Sequence, residues 1–323
     1  MPVPQLDQVP VLVTGGAGFI GSHLVDRLLE LGAEVRVFDD FSTGLRSNLA
    51  HLAADAIDVQ EGDLRDLDAC RRAVAGRQYV FHQAALGSVP RSVAEPATSL
   101  AVNAGGTANL FHAARDAGVR RLVYASSSSV YGSSPTLPKR EAEVGDVLSP
   151  YALSKKMCEQ LAEVFGRCYQ LEIIGLRYFN VYGPRQRPDG PYAAVIPRFF
   201  DAYFSGGRPV IYGDGEQSRD FTFVGDAVLA NLLSIGAPAA ACGRAYNVAG
   251  GKRTSLNQLW RLIRDLADGA GDPTYEPPRQ GDVRHSLADL SAIEGQIGYR
   301  PETPIDEGLA LTSDHFKALS GGA

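Results

Sequence analysis

The chain has 323 residues, of which 45% are apolar and 21% charged, and a formal net charge of −6. This length suits one large or two interleaved globular domains, and the acidic balance argues against a nucleic-acid-binding surface. No stretch approaches the roughly 18 uninterrupted apolar residues of a membrane span, and the first residues lack the basic segment of a signal peptide, so we expect a cytoplasmic protein without membrane contact.

The first half of the chain alternates short β-branched runs with helical patterns. The predicted strands are 9–15, 34–40, 56–64, 79–85, 121–128 and 172–179. The predicted helices between them are 19–32, 66–75, 98–117 and 150–169. Alternation of this kind predicts an α/β fold with a parallel sheet covered by helices on both faces.

The character of the sequence changes after Gly183. Residues 183–193 carry three prolines and three charged side chains, which indicates an ordered loop over a site. The later predicted elements are helix 196–205, a helix from Val224, strand 245–250 and helix 255–268. The four cysteines and six histidines share no metal-ligand spacing. We therefore expect no metal site, reduced and buried thiols, and a packing role for His82.

A glycine-rich turn, Thr14 to Gly21, lies where the first strand meets the first helix. Glycines at 15, 18 and 21 permit a tight turn, close approach to a pyrophosphate and tight packing of the helix on the strand. The N–H groups at the helix N-terminus are available to an anion. The turn predicts a dinucleotide site.

Acidic residues follow the second and third strands. An acid at Asp39 or Asp40 accepts a hydrogen bond from the ribose 2′-hydroxyl and repels a 2′-phosphate, which favours NAD over NADP. Asp63, in Gly62-Asp63-Leu64, is a candidate for an adenine contact. A plain capping aspartate is the alternative for Asp63.

A tyrosine and a lysine four residues apart open the helix at 150–169. Ser149 suits the N-cap and Pro150 the first turn. Tyr151 and Lys155 lie on one helix face, and a nearby ammonium and a positive nicotinamide ring would both favour a phenolate base. The alternative is an amphipathic helix with an exposed lysine and a packed tyrosine.

Several motifs together resemble the extended short-chain dehydrogenase/reductases, in the branch that acts on nucleotide sugars. These motifs are, in order, TGGAGFIG, DDFSTG, GDL, VYG, PYALSK and RYFNVYG. Within the branch, three further segments look most like bacterial UDP-N-acetylglucosamine 4-epimerases: HQAALGSVPRS, GPRQRPDGPYAAVIPRF and RQGDVRHS. The resemblance implies a Rossmann-type, doubly wound NAD-binding domain of 1–179 with 222–250. It also implies a smaller, mostly C-terminal α/β domain for a UDP-sugar, of 180–221 with 251–323.

The resemblance also implies the roles of individual residues. Tyr151 is the general base, Lys155 holds the nicotinamide ribose and the tyrosine, and Ser127, four residues before the tyrosine of VYG, is the third catalytic group. With the turn and acids named above, the residues expected to contact NAD are Gly15, Gly18, Phe19, Ile20, Gly21, Asp39, Asp40, Ser42, Thr43, Gly44, Asp63, Leu64, Ala84, Ala85, Tyr151, Lys155 and Tyr178.

A further set of positions matches ligands of the UDP moiety. By resemblance Asn180 binds a phosphate or sugar oxygen, Arg219 and Arg279 the diphosphate, and Asp282 the uridine ribose. Planar guanidinium groups suit phosphate oxygens. Tyr212 matches an aromatic residue that packs on uracil, and Ala194 and Val195 match a segment that offers backbone groups to the uracil edge. The alternatives are surface salt bridges for the arginines and core packing for the tyrosine.

The neighbours of Ser127 bear on the reaction. Sugar 4,6-dehydratases of this branch carry an acid pair directly after this hydroxyl, and UDP-glucuronate decarboxylases carry a glutamate two residues after it. Ser128 and Ser129 occupy those positions here and cannot abstract a carbon-bound proton. With dehydration and decarboxylation excluded, the reaction that remains is oxidation of a sugar hydroxyl and its reversal. This indicates a 4-epimerase.

The position of a bulky gating tyrosine in this family matches Ser286, and a small side chain there leaves room for an N-acetyl group. UDP-GlcNAc and UDP-GalNAc are therefore the expected substrates, ahead of UDP-glucose and UDP-galactose alone. Ser88, Ser128 and Gln186 are candidates to contact the acetamide or neighbouring hydroxyls.

Three alternatives stay open. A UDP-uronic acid 4-epimerase would use Arg91 or Arg185 against a carboxylate. A net dehydrogenase would release NADH, and a silent NAD-binding regulator would have no activity. Family members commonly form homodimers through a four-helix bundle, which here corresponds to helices 98–117 and 150–166.

Overall fold

The computed structural model describes residues 2–188, 194–266, 271–278 and 284–320. Its strands are β1 Pro10–Thr14, β2 Glu34–Asp39, β3 Asp58–Glu61, β4 Tyr79–His82, β5 Arg121–Ser127, β6 Glu172–Tyr178, β7 Val181–Tyr182, β8 Val210–Tyr212, β9 Ser218–Asp220, β10 Thr222–Phe223, β11 Arg244–Val248, β12 Arg253–Ser255 and β13 Thr274–Glu276. Its α-helices are α1 Phe19–Glu30, α2 Leu67–Val74, α3 Val89–Ala94, α4 Pro96–Leu100, α5 Gly106–Asp116, α6 Pro150–Tyr169, α7 Val195–Phe204, α8 Val224–Gly236, α9 Leu256–Arg264, α10 Ser291–Ile297 and α11 Ile305–Ser320.

Seven strands form one parallel sheet in the order β3-β2-β1-β4-β5-β6-β11. The order reverses between β1 and β4, which is the arrangement of a doubly wound Rossmann-type sheet. The predicted fold class is therefore confirmed. At such a reversal the loops that follow the two strands diverge, and the crevice between them is where ligands bind.

Successive side chains of the sheet's strands pack alternately in two apolar clusters, one on each face of the sheet. Val11 and Val13 of β1 pack with α1 and α8 on one face, whereas Leu12 packs with α2, α5 and α6 on the other. Because successive strand residues point to opposite faces, a strand covered on both sides is apolar at every position. The run VLV at the start of β1 meets this requirement.

A further apolar cluster lies among helices α7, α9 and α11. Phe199 meets Trp260 edge to face at 5.6 Å between ring centroids, and Phe200 stacks on Phe316 at 5.4 Å. The short ladders β7–β10, β8–β13 and β9–β12 surround it. Helix α10 packs instead in the cluster of α1 and α8, although the predicted boundary assigns 251–323 to the second domain. The two-domain division stays a prediction.

The predicted helix 98–117 is found as α4 and α5, joined by one π-helical turn over Ala101–Gly105. The carboxamide of Asn103 in this turn bonds both backbone groups of Leu86 and also donates to Ser154 Oγ at 3.1 Å. Such a turn is commonly found near functional sites. Here it ties the loop after β4 to helix α6, a long-range contact that helical periodicity cannot reveal.

All four cysteines are free, but only Cys70 and Cys158 are buried. The expectation of buried thiols is wrong for Cys168, which is exposed in the last turn of α6. Among the helices that the structure describes, none is both long and apolar enough to cross a membrane.

Candidate active site

A cavity of about 530 Å³ opens at the crevice between the loops that follow β1 and β4. All seventeen residues predicted to contact NAD line it, together with Ser127. They come from the ends of strands β1 to β6 and from the start of α6, which are far apart in sequence. The sheet topology therefore gathers them at one edge.

The glycine turn is packed too closely for any side chain at two of its positions. Gly15 has φ +68°, and a Cβ there would lie 2.6 Å from Ala84 N. A Cβ on Gly21 would lie 2.0 Å from Gly15 O. Helix α1 begins after Gly18 without a side-chain cap, so its first N–H groups are available to an anion.

The acid at the end of β2 supports the turn. Asp39 is buried and accepts hydrogen bonds from Ala17 N at 3.0 Å and Phe41 N at 2.9 Å. Burial raises its pKa, and these N–H groups act in the opposite direction. Asp40 instead accepts from the amide and hydroxyl of Ser42. Both carboxylates lie at the cavity wall, where the sequence places the adenosine ribose.

Asp63 lies on the same wall and is held by a neighbouring arginine. Arg65 Nε donates to Asp63 Oδ2 at 2.8 Å, and this side-chain bonding lowers the pKa of the carboxyl. The N-cap of α2 is Asp66, which accepts from Asp68 N and Ala69 N. The helix-capping role is thus filled by a different aspartate, and Asp63 keeps its place at the cavity.

Ser127, Tyr151 and Lys155 all line the cavity. Ser149 caps α6 by accepting from Ala152 N at 3.1 Å, as the sequence predicts. Lys155 is only 4% exposed and donates from Nζ to Ala125 O at 2.8 Å, which leaves two of its three N–H groups for a ligand. The alternative of an exposed lysine is therefore wrong.

His82 lies beneath this group. Its Nδ1 is 2.7 Å from Thr14 Oγ1 and its Nε2 is 2.9 Å from Thr107 Oγ1. Burial, and then the charge of Lys155, lowers the pKa of His82 to about 3. The ring is neutral at physiological pH and joins strands to α5, which confirms its packing role.

The sequence did not predict Gln83 and Asn231, the two residues that hold Tyr178. The Tyr178 hydroxyl accepts from Asn231 Nδ2 at 2.7 Å and donates to Gln83 Oε1 at 3.2 Å. Burial raises the pKa of Tyr178 to about 12, so the ring stays neutral. Gln83 lines the cavity and Asn231 belongs to α8. Gln83 and Asn231 are 148 positions apart, so no local sequence pattern predicts that they contact each other.

A second cavity, of about 440 Å³, shares Asn180, Val181 and Gln186 with the first. Six of the predicted substrate residues line it, namely Asn180, Gln186, Ala194, Val195, Tyr212 and Arg219. Arg198 and Arg208 also line it and were not predicted, because an arginine beside an apolar helix carries no pattern of its own. Because the two cavities share lining residues, they are neighbours, as a cofactor site and a substrate site must be.

Of the other predicted substrate residues, Ser127 lines the first cavity, and five have no place in either described lining. Arg279 and Asp282 lie outside the described residues. Ser88 caps α3 by accepting from Arg91 N at 3.1 Å. Ser286 N donates to Ser218 O at 3.0 Å, beside the strand that carries Arg219. Ser128 begins the short 3₁₀ turn after β5. Neither cavity's described lining includes these three serines, and their roles stay predictions.

The two arginines considered for a uronate differ in placement. Arg185 lines the first cavity, and its Nη2 lies 2.7 Å from Asp26 Oδ2. His23 Nε2 lies 2.9 Å from Pro184 O and fastens the same segment to α1. Arg91 belongs to neither described lining.

The sequence model of the NAD dependent epimerase/dehydratase family matches residues 11–249. The chain belongs to this family. It is 39% identical over 313 residues to a UDP-glucose 4-epimerase of Mycolicibacterium smegmatis, covering 96% of this chain and 99% of the relative.

Two solved structures of the family are similar to this chain over nearly its whole length. A UDP-N-acetylglucosamine 4-epimerase of Methanobrevibacter ruminantium in complex with UDP-N-acetylmuramic acid has TM-score 0.93 and 40% identity, with 97% of this chain and 100% of that one covered. A UDP-glucose 4-epimerase of Thermus thermophilus in complex with NAD has TM-score 0.84 and 36% identity, with 96% and 99% covered.

The cavity fits the family's cofactor, NAD. The glycine turn brings bare backbone to the cavity wall at Gly15, Gly18 and Gly21, the N-terminus of α1 is uncapped, and two carboxylates stand where a ribose hydroxyl is expected. Over the ranges that the structure describes, no group of three or more His, Cys, Asp or Glu side chains is placed to hold a metal ion.

Proposed function

We propose that the protein is a UDP-N-acetylglucosamine 4-epimerase that interconverts UDP-GlcNAc and UDP-GalNAc, with UDP-glucose and UDP-galactose as further substrates. The observation that carries the proposal is that Ser127, Tyr151 and Lys155 all line the first cavity, which shares Asn180, Val181 and Gln186 with the second. Serines rather than acids occupy positions 128 and 129. Tyr151 can therefore act as a base for a hydroxyl proton, whereas positions 128 and 129 supply none for a carbon-bound proton.

NAD, when bound, supplies a nicotinamide ring that takes a hydride from a sugar carbon and returns it. Tyr151 accepts the proton of the C4 hydroxyl as that carbon is oxidised. Ser127 hydrogen-bonds the same oxygen, and Lys155 holds the nicotinamide ribose with the N–H groups that Ala125 O leaves free. The 4-keto sugar turns about its diphosphate linkage, and its other face receives the hydride while Tyr151 returns the proton.

The second cavity holds the UDP moiety while the hexose turns. Arg219 is held by backbone carbonyls, with Nη1 donating to Ser218 O at 3.1 Å and Arg284 O at 3.3 Å. A planar guanidinium at this position, on the wall of the second cavity, suits the diphosphate. Tyr212 offers a ring for uracil, and Asn180 is oriented by its donation to Asp220 O at 2.9 Å. Arg279 and Asp282 complete the set as predictions from sequence.

Three observations support an N-acetylated hexose, and the second of them also argues against a uronic acid. The M. ruminantium neighbour holds a nucleotide sugar with an N-acetyl group. Of the two arginines considered for a uronate, Arg185 is paired with Asp26, and Arg91 belongs to neither described cavity lining. Ser286, at the position of the family's gating tyrosine, is small and half-buried.

The test compares kcat/KM for UDP-GlcNAc, UDP-glucose and UDP-glucuronate on the purified enzyme, with products separated by chromatography. A clear preference for the uronate overturns the substrate assignment. Absorbance at about 340 nm is followed throughout, because a net dehydrogenase accumulates NADH and an epimerase does not. Ser286→Tyr is expected to suppress the N-acetylated pair more than the plain hexoses, and equal losses contradict the gate.

The enzyme works as a cytoplasmic homodimer in this proposal. Helix α6 carries Leu153, Met157 and Val164 on one outward face, between 37% and 43% exposed. Val89 and Val93 of the adjoining α3 are 42% and 65% exposed. These five residues form an outer apolar patch of the kind that marks protein–protein contact. A second copy of the chain is the partner that the family's four-helix bundle implies.

A further inference from the structure

The hydroxyl of Ser127 receives two hydrogen bonds from the same residue. Ser129 donates to Ser127 Oγ from its backbone N at 3.2 Å and from its own Oγ at 3.0 Å. A serine hydroxyl has two acceptor lone pairs and one proton. With both acceptor positions filled, the Ser127 proton is left to point elsewhere.

The two bonds have different origins. The backbone bond is an ordinary N-cap, because Ser127 has extended dihedrals (φ −153°, ψ 146°) and caps the short 3₁₀ turn Ser128–Tyr131. Any residue at position 129 can supply that N–H. The second bond needs a side-chain hydroxyl at position 129, so it depends on the serine itself.

Neighbouring serines do not share this arrangement. Ser126 also lines the cofactor cavity, but its Oγ donates at 2.7 Å to Glu159 Oε1. Among the described residues that line this cavity, Ser127 is present and Ser129 is not. Ser129 thus reaches the site through Ser127.

We infer that Ser129 is a positioning residue, whose hydroxyl orients that of Ser127 to donate its proton to the sugar oxygen at the reacting carbon. The inference rests on the proposed function, which gives Ser127 its contact with that oxygen. The oxygen gains negative charge as Tyr151 removes its proton, and a donor already aimed at it needs no reorganisation. A hydroxyl free to rotate would spend part of its time donating to another acceptor.

The test measures kcat and KM for UDP-GlcNAc in Ser129→Ala, Ser129→Thr and Ser129→Cys. Loss of one hydrogen bond corresponds to about a tenfold fall in kcat for the alanine variant, with KM changed by less than about twofold. Threonine keeps the hydroxyl and is expected within about threefold of the wild type. Cysteine keeps the shape with a weak donor and is expected in between. Ser133→Ala, whose hydroxyl accepts from Asp146 N outside both described cavity linings, is the matched control.

A double-variant cycle separates this inference from the proposed function. If Ser129 acts through Ser127, adding Ser129→Ala to Ser127→Ala lowers kcat no further. A multiplicative loss in the double variant, or a Ser129→Ala or Ser129→Cys enzyme with wild-type kcat, overturns the inference alone. A Ser127→Ala enzyme with near-normal kcat overturns instead the role of Ser127 in the proposed function. Bound NAD and thermal melting are checked in each variant to confirm folding.

Discussion

Glu159 and Arg177 form a bidentate ion pair directly behind the strand that carries Ser127. Arg177 donates from Nε to Glu159 Oε1 at 2.7 Å and from Nη2 to Oε2 at 3.0 Å, and the Arg177 and Glu159 side chains are 5% and 8% exposed. Glu159 lies one helical turn beyond Lys155 on the same face of α6, and it also accepts from Ser126. The pair therefore joins helix α6 to β5 and β6 beside the candidate catalytic residues.

Removing one partner of this pair is expected to destabilise the fold strongly. Glu159→Ala leaves the Arg177 guanidinium buried without its carboxylate, a change that costs about 3–5 kcal/mol. Urea denaturation followed by circular dichroism measures the loss. Glu163→Ala, which removes an exposed partner of Arg167, is the matched control and is expected to cost less than about 1 kcal/mol. Similar losses in the two variants would contradict a structural role for the buried pair.

The ion pair illustrates what sequence could and could not predict. Strand runs and the glycine turn are local patterns, so β1 to β6 were predicted from sequence, and the seventeen residues predicted to contact NAD by sequence and motif resemblance all line one cavity. Glu159, Asn103 and Asn231 act through partners distant in the chain, and their periodicity matches that of any helix face. Such contacts depend on how helices dock on the sheet, which one sequence does not specify.

Packing at the glycine turn predicts that Gly21→Ala loses the cofactor. Its Cβ would meet the Gly15 carbonyl oxygen at 2.0 Å, so the turn must open and the start of α1 must shift. We expect the purified variant to contain little NAD, measured by acid release and enzymatic assay. Gly295→Ala in α10 is the matched control, since its Cβ meets no atom within 4 Å. Wild-type NAD content in Gly21→Ala would contradict the cofactor assignment of the turn.

The half-buried histidine of α1, His23, predicts a loss of stability in acid. Burial lowers the pKa of His23 from 6.5 to about 4, against the opposing effect of the Pro184 carbonyl. A group with a lowered folded pKa binds its proton more readily when unfolded, so its stabilisation is complete above pH 6.5 and falls as pH approaches 4. At about pH 4.5 the loss is about 2–3 kcal/mol.

His23→Gln keeps a neutral side-chain donor for Pro184 O and removes the titration. Urea denaturation between about pH 7 and 4.5 is therefore expected to show a shallower decline for the variant, by about 2–3 kcal/mol over the range. Leu311→Gln, at an exposed position that does not titrate, is the control and should keep the wild-type slope. If the free energy of unfolding falls equally with pH in the wild type and in His23→Gln, His23 is not the source of the acid destabilisation.

The outer apolar patch predicts the effect of a charge on α6. Met157→Glu places a carboxylate in the centre of a surface that a second copy would bury, and desolvating it is unfavourable. Light scattering after size exclusion is expected to give twice the mass of one chain for the wild type and one chain for the variant. Leu311→Glu on α11, exposed to 47%, is the control and should leave the mass unchanged. A monomeric wild type would overturn the homodimer.

The phenol of Tyr151 carries the largest expected kinetic effect. Tyr151→Phe keeps the aromatic ring in the first turn of α6 but removes the hydroxyl that accepts the C4 hydroxyl proton. We therefore expect kcat to fall by about a hundredfold or more. Binding of UDP, measured by calorimetry, and the content of bound NAD should stay close to wild type, because the second cavity and the glycine turn are untouched. Tyr169→Phe, at the exposed end of the same helix, is the matched control. Near-normal turnover in Tyr151→Phe would remove this residue from the mechanism, whereas parallel loss of UDP affinity would assign it to binding.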